Sequence, residues 1–217
     1  MAKQTGTKLI KYNESRHLVI TPKARLSFPQ LFVARSFKDQ PDQKKEFRCD
    51  LIFDSQDAFK IKGKSKKGET PSIIDAITNV KIDQWGPDKK KWPKMQYPVI
   101  KKGDERVNAD GEVYEGYAGN WYVTAKSGEK YPPRVLLPNG QPATEADVYG
   151  GCYVIAALLA RPYKFGHNFG VTFRLLQIKK VADGERFGGV SEDLFEEVEE
   201  IDMGGDFEGS EDDGDDF

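Results

Sequence analysis

The strongest limit on how this chain can fold is set by its last 26 residues. Residues 192–217 hold 14 acidic side chains and no lysine or arginine, although the whole chain has 33 basic and 35 acidic residues. Residues 1–191 therefore carry a net charge of +12, and residues 192–217 carry −14. Because a block of like charges repels itself and stays hydrated, residues 191–217 are predicted to form a disordered acidic tail.

The acidic tail ends in an aromatic ring, in the sequence SEDDGDDF. A tail that only aids solubility stays open as an alternative. A terminal phenylalanine adds nothing to solubility, however, and suits a small pocket on another protein. The residues expected to dock a partner protein are Asp212, Asp213, Asp215, Asp216 and Phe217.

The rest of the chain has the size of one folded domain, predicted to span residues 1–190. A chain of 217 residues that is 38% hydrophobic can bury one core, but hardly two independent ones. No apolar run approaches the ~20 residues of a membrane span, and the N-terminal segment lacks the apolar stretch of a signal peptide. We therefore expect a cytoplasmic protein that does not use a membrane.

Most of this domain shows the pattern of short β-strands. In residues 46–53, Phe47, Cys49, Leu51 and Phe53 alternate with Arg48, Asp50 and Ile52, which predicts a half-buried strand. A second strand-like run around residues 16–28 is interrupted by Pro22, which indicates an edge or a bend. Four more strand-like runs follow residue 117, separated by glycine, proline and asparagine turns.

One segment changes to a helical period. In residues 70–85, Thr70 can cap a helix and Pro71 suits its first turn. The residues that fall on one helical stripe are Ile73, Ile74, Ile77, Val80 and Lys81. Short strands around one helix predict a mainly β fold, an OB-fold-like Greek-key barrel with one helix and long loops.

Signals for catalysis or metal binding are weak. Cys49 and Cys152 each lie in an apolar run, where a reduced buried thiol is the ordinary outcome. Together with His17 and His167 they do not have the spacing of zinc ligands. No nucleophile elbow, His-Glu-x-x-His motif or kinase signature is present in the sequence. We therefore expect no metal, no cofactor and no enzymatic activity.

Basic and aromatic residues are interleaved in three regions, a pattern typical of proteins that bind single-stranded nucleic acid. Cations follow the phosphates, and exposed rings stack on bases of any identity. The alternative is that most rings belong to the core; about half are expected there, because a strand sends every second side chain inward. The candidate DNA-binding residues are Lys62, Lys64, Lys66 and Lys67; Trp85, Lys89, Lys90, Lys91, Trp92, Lys94 and Tyr97; and Tyr117, Trp121, Arg161, Tyr163, Lys164, Phe165 and Phe169.

Residues 117–189 resemble a family of phage single-stranded-DNA-binding proteins. The most specific part is the run VYGGCYV followed by DGERFGG, and the likeness extends over most of residues 20–190. The resemblance implies an OB-fold core that binds single strands without sequence preference. It also implies an acidic tail that docks DNA replication, recombination or repair proteins, such as a polymerase, helicase or nuclease, in the cytoplasm of the infected bacterial host.

The acidic tail and the basic domain suggest a regulatory hypothesis. A polyanion tethered to a basic groove competes there with DNA phosphates, and DNA binding would release it for a partner protein. Two other functions stay open, a protein that coats RNA or duplex DNA and a metal-dependent nuclease. The sequence also leaves a homo-oligomer open.

Overall fold

A computed structural model describes residues 14–36 and 44–188 of the protein. The predicted acidic tail, with Asp212, Asp213, Asp215, Asp216 and Phe217, lies outside the described residues. The elements in chain order are α1 (Glu14–His17), β1 (Leu18–Ile20), β2 (Ala24–Arg35), β3 (Glu46–Phe53), β4 (Gly63–Ser65), β5 (Gly68–Thr70), α2 (Ile73–Trp85), β6 (Ile100–Lys102), β7 (Trp121–Gly128), β8 (Arg134–Leu136), β9 (Tyr153–Phe165) and β10 (Asn168–Ala182).

Five of these strands close into a ring. The order is β2, β3, β7, β10 and β9, and β9 pairs back onto β2. All pairs in the ring are antiparallel except β7 with β10. β1, β6 and β8 extend the sheet from β9, β7 and β10, while β4 and β5 form a separate hairpin. The prediction of a mainly β fold is confirmed.

The interior of the ring is filled by the alternating apolar residues of its strands. β3 has the predicted bounds, and Cys49, Leu51 and Phe53 lie in the core with Val123 of β7 and Phe173 of β10. This burial is the main stabilising contribution, at roughly 25 cal/mol per Å² of apolar surface. The side chains between them therefore point to the outer face of the ring.

One part of that outer face is covered. Asp50 and Ile52, which alternate with the core residues of β3, are 1% and 3% exposed. Ile52 packs in a second apolar cluster with Tyr117 and Tyr122. The segment before β7 thus lies over the end of β3, and this strand is buried on both faces there.

The N-cap residue of helix α2 lies two positions after the predicted one. Ser72, not Thr70, is the N-cap: its hydroxyl accepts a hydrogen bond from the Asp75 backbone N–H at 3.2 Å. The Asp75 carboxylate accepts from the Ser72 N–H in return, which completes a capping box. Thr70 instead accepts a hydrogen bond from the Ile20 N–H. Gly86, at φ 87°, follows the last turn in a conformation that favours glycine.

The buried face of α2 differs from the predicted stripe at Ile74, Ala76 and Lys81, and Lys81 is only partly buried. Ile73, Ile77 and Val80 lie in the core as predicted, but Ile74 is 38% exposed. Ala76 is buried instead, because its small side chain lets the helix approach the strands closely.

Both cysteines are buried free thiols, as predicted. Burial raises the pKa of the Cys49 thiol, and the neighbouring Asp50 raises it further. No helix within residues 14–36 and 44–188 is long and apolar enough to cross a membrane.

Candidate nucleic-acid interface

A row of basic side chains crosses the outer face of the ring. Arg48 on β3 is the register partner of Lys126 on β7, and Lys126 is the partner of Arg174 on β10. Register partners on neighbouring strands lie about 5 Å apart and on the same face. Residues from three distant parts of the sequence therefore form one line of positive charge.

Two adjoining cavities, of about 700 and 330 Å³, lie along this row. Lys126 and Thr172 line both of them, so they form one continuous groove, which we call the basic groove. Eight basic and two acidic residues line it. The basic ones are Lys44, Lys45, Arg48, Lys101, Lys126, Lys130, Arg161 and Arg174.

The two carboxylates in the basic groove offset little of its charge. Glu46 pairs with Lys126, with 2.6 Å between the carboxylate Oε1 and the lysine Nζ. Glu129 is the other acidic lining residue. The basic groove therefore keeps a net positive charge, which attracts an anion.

Lys101 is a partly buried cation of the groove. Burial lowers the pKa of its ammonium group, and the nearby cations Arg48, Arg106 and Lys126 lower it further, while Asp50 acts in the opposite direction. A group whose charged form is disfavoured in this way gains from a bound anion, such as a DNA phosphate.

Three tyrosines bring aromatic rings to the groove. Tyr97 and Tyr131 are 57% and 58% exposed, and the Arg174 guanidinium lies 4.2 Å from the centre of the Tyr131 ring. The Tyr163 ring lies across Gly170, its partner on β10. A Cβ at Gly170 would meet the Tyr163 ring at 2.5 Å, so glycine is what lets this ring lie flat on the sheet.

The β9–β10 hairpin extends beyond the groove from Tyr163. Phe165, near its turn, is 80% exposed, and Lys164 lies 5.2 Å from the centre of the Phe169 ring. An exposed ring beside cations suits stacking on an unpaired base.

The structure brings part of the predicted site together. Tyr97, Arg161 and Tyr163 line the basic groove, and Lys164, Phe165 and Phe169 lie on the hairpin that continues from it. The remaining candidates line neither cavity of the groove. They are Lys62, Lys64, Lys66, Lys67, Trp85, Lys89, Lys90, Lys91, Trp92, Lys94, Tyr117 and Trp121.

The lysine-rich loops form surfaces of their own. Lys62, Lys64, Lys66 and Lys67 are exposed in or beside the β4–β5 hairpin, where Lys62 pairs with Glu69 at 2.9 Å. In the other loop, Lys89, Lys90, Lys91 and Lys94 are exposed beside Trp92.

The two tryptophans near α2 are less exposed than predicted. Trp85 packs against the core. The Trp92 ring is half-buried, and its Nε1–H donates a hydrogen bond to the Gly86 carbonyl at 2.8 Å. Lys81 lies 5.3 Å from the centre of the Trp92 ring. These contacts favour a structural role for both rings.

The prediction that Tyr117 contacts DNA is wrong, because its side chain is 0% exposed. The Tyr117 hydroxyl donates to the Asp50 carboxylate at 2.9 Å, and Thr124 donates to the other oxygen at 2.7 Å. Arg106 lies 3.6 Å from the same carboxylate. Burial is the main reason that the pKa of Tyr117 is raised. Trp121 is also half-buried against the core.

Several residues of the groove were not among the candidates. They are Lys44, Lys45, Arg48, Lys101, Lys126, Lys130, Tyr131 and Arg174. The sequence contained a signal for three of them. Arg48, Lys126 and Arg174 are basic residues at outward positions of strands in which apolar and polar residues alternate. That signal becomes specific only when the register places them side by side.

Comparison with known proteins identifies relatives of this chain. A family model described as the Enterobacter phage Enc34 ssDNA-binding protein matches residues 17–207. The putative protein p50 of Acyrthosiphon pisum secondary endosymbiont phage 1 is 29% identical over 188 residues, which cover 82% of this chain and 91% of that protein.

Solved structures share the fold. The single-stranded DNA-binding protein from bacteriophage Enc34 in complex with ssDNA is 18% identical, with a TM-score of 0.57, and the match covers 86% of this chain and 100% of that chain. A C-terminal truncation of the Enc34 protein is 20% identical, with a TM-score of 0.53, and covers 83% of this chain and 98% of that chain. Both Enc34 structures are described as single-stranded DNA-binding proteins. The chain belongs to the Enc34 family of phage single-stranded-DNA-binding proteins.

Proposed function

We propose that this protein binds single-stranded DNA without sequence preference, through the basic groove. The observation that carries the proposal is the row Arg48, Lys126 and Arg174, which lies across three strands on the floor of a groove with exposed rings. Family membership and the ssDNA complex of the Enc34 protein support it.

The chemistry of the groove suits an unpaired strand. Phosphates bind the cations and release their counterions, which is a sequence-independent gain in free energy. Tyr97, Tyr131 and Tyr163 offer ring faces on which any base can stack. Because a base in a duplex has no free face, this arrangement favours single strands over duplex DNA.

We assign the fold to the OB class. The closed order β2, β3, β7, β10, β9 supports this assignment, since an OB-fold is a five-stranded Greek-key barrel. The basic groove then lies over β3 and β7, the second and third strands of the ring. OB-folds bind oligonucleotides on the face of these strands.

The wider role is proposed from the sequence. We place the protein in phage DNA replication, recombination or repair, in the cytoplasm of the infected bacterial host. Residues 192–217 would lower DNA affinity by competing for the groove, and Phe217 with its neighbouring acids would dock a polymerase, helicase or nuclease. The charge of −14 in this segment supports the competition.

Equilibrium binding of fluorescent oligo-dT at several salt concentrations tests the proposal. Affinity should fall steeply with salt, and unlabelled oligo-dT should compete better than duplex DNA or RNA of the same length. An affinity that barely changes with salt would contradict binding through the cationic groove.

The same assay separates the two alternative functions. Equal competition by RNA or duplex DNA would indicate a general nucleic-acid coat. Degradation of the oligonucleotide in magnesium or manganese would indicate a nuclease, and we expect intact DNA. Within residues 14–36 and 44–188, no group of three or more His, Cys, Asp or Glu side chains could hold a metal ion.

A further inference from the structure

A third cavity lies on the same outer face as the two that form the basic groove. Its volume is about 390 Å³, and Ser27 of β2 lines it together with three aromatic side chains, Phe28, Tyr114 and Phe187. We call it the aromatic pocket. Ser27 is the register partner of Asp50, and Asp50 is the partner of Thr124, which lines the groove. The aromatic pocket and the groove therefore lie on either side of β3, with Asp50 and the Tyr117 and Arg106 side chains that cover it between them.

The cationic row leads from the groove toward the aromatic pocket. Arg48 is the register partner of the neutral Gln30 on β2, so the line of register partners reaches a fourth strand at a point two residues from Phe28. From Arg174 to Gln30 the line spans three strand spacings, about 14 Å at ~4.8 Å each. A DNA strand that binds along this line would reach the aromatic pocket.

Phe28 is held in an unusual backbone conformation. Its φ is +45°, in the left-handed region that a phenylalanine seldom adopts. Phe28 and Pro29 form a bulge, since the pairing shifts between Ser27 and Gln30. The Phe28 side chain is 42% exposed, so the strain does not serve to bury the ring. Strain of this kind lowers stability and concentrates at ligand-binding sites.

Cations lie on the rings of the pocket. The Arg106 guanidinium is 4.9 Å from the centre of the Phe28 ring, and the Arg25 guanidinium is 4.4 Å from that of Phe187. The lining carboxylate, Glu115, already accepts a hydrogen bond from the Gly188 N–H at 2.7 Å. Arg106 also pairs with Asp50 at 3.6 Å, and Arg25 donates to the Glu185 carbonyl at 2.8 Å, so both guanidinium groups are held beside the rings. The pocket therefore combines rings that can stack on a base with nearby positive charge.

We propose that the aromatic pocket receives one base of the same DNA strand that crosses the basic groove. This inference rests on the proposed ssDNA-binding function, and it names a part of the DNA path. The bulge at Phe28 would present its ring to the base, and Tyr114 would support that ring, since the two ring centres lie 5.0 Å apart in an edge-to-face arrangement.

The first test measures affinity for oligo-dT of increasing length, from about 4 to about 16 nucleotides, the range of OB-fold sites. Phe28→Gly removes the ring and relieves the strain, because glycine adopts positive φ at no cost. For long oligonucleotides only, we expect the affinity of this variant to fall by about 5- to 150-fold, which is the effect of one stacked base. Short oligonucleotides that occupy only the groove should bind as tightly as before.

Two further variants control this test. Phe28→Trp keeps a ring and should restore the affinity for long oligonucleotides. Val33→Ala changes an apolar residue of the same strand that is 56% exposed, and should change affinity at no length. Equal loss at every length in Phe28→Gly, or no loss at any length, would overturn the inference. If the intact protein binds no oligo-dT at all, the proposed function fails as well.

The second test needs no variant. Oligo-dT that carries one 5-iodo-deoxyuridine is photocrosslinked to the intact protein, and the modified residues are identified by mass spectrometry. Adducts at Phe28, Tyr114 or Phe187 are expected with long oligonucleotides. Adducts at Tyr97 or Tyr163 but never at these three rings would overturn the inference, while binding in the groove would stand.

Discussion

Lys126 on β7 lies directly opposite Arg48 on β3, as its register partner. Two like charges at opposed positions of a sheet repel each other and lower its stability. Arg174 adds a third charge from the other side of Lys126. Glu46 pairs with Lys126 at 2.6 Å, and an anion bound in the basic groove would reduce the repulsion along the row further.

Lys126→Gln should weaken binding of oligo-dT and reduce the slope of log affinity against log salt by about 0.7, the effect of one lost phosphate contact on a single strand. The free energy of unfolding should change by less than about 1 kcal/mol, because the lost ion pair with Glu46 is partly exposed. Salt titrations and urea unfolding measure the two effects.

Lys64→Gln is the matched control, since Lys64 is exposed on the separate β4–β5 hairpin. It should change both quantities much less. Equal effects of the two variants on DNA binding would mean that only net charge matters, and would contradict binding in the groove.

Binding should depend on pH through Lys101. Burial and neighbouring cations lower the pKa of Lys101 in the free protein, and a bound phosphate raises it again. The complex then binds more protons than the free protein at alkaline pH. Affinity is fully present below the free-protein pKa and decreases as the pH rises toward the pKa in the complex.

Affinity for oligo-dA, whose base has no alkaline titration, should show this decrease in a pH series. Lys101→Arg keeps the positive charge at every pH tested, and its affinity should be nearly constant. Identical pH profiles of the two proteins would contradict a contact between Lys101 and DNA.

Two tyrosines should respond in opposite ways. Tyr97→Ala should weaken binding of oligo-dT by roughly 1–3 kcal/mol without lowering the melting temperature, because the ring is exposed in the groove. Tyr117→Phe should lower the free energy of unfolding by about 1–3 kcal/mol and leave DNA affinity unchanged, because Asp50 loses a buried hydrogen-bond donor. DNA-binding assays and urea unfolding of both variants check this. Lower stability of Tyr97→Ala, or weaker DNA binding by Tyr117→Phe, would contradict the roles given to the two rings.

Removal of residues 192–217 should raise the affinity for single strands. The deletion removes 14 acidic side chains that are tethered to a basic domain and compete with DNA. The gain should become smaller as salt rises, since screening weakens both interactions. If the shortened protein binds oligo-dT no better than the intact one at low salt, competition by the tail is excluded.

Deletion of Phe217 alone should separate the two proposed roles of the tail. Every acidic side chain remains, so DNA affinity should hardly change. Capture of purified phage or host replication proteins should be lost, because the aromatic anchor is missing. Unchanged capture would place the docking elsewhere.

Local patterns predicted much of the fold. The bounds of β3 follow from the alternation of Phe47, Cys49, Leu51 and Phe53, because the two-residue period of a strand is a property of neighbouring residues. Ile73, Ile77 and Val80 on the core face of α2 were predicted, but Ile74 is exposed, Lys81 is only partly buried and Ala76 is buried. The helical period predicts which face of a helix is buried, but it does not decide which residues at the margin of that face are buried.

The sequence by itself determined which residue types are present: strands with outward basic side chains, rings between lysines, and an acidic segment after a basic one. Only the tertiary structure decided which of these residues meet. Arg48, Lys126 and Arg174 become neighbours through strand register, whereas Lys62 and Lys64 lie near a hairpin outside the ring. Tyr117 is buried because its segment folds back over Asp50. Register and burial depend on contacts between residues far apart in the chain, so a local pattern does not contain them.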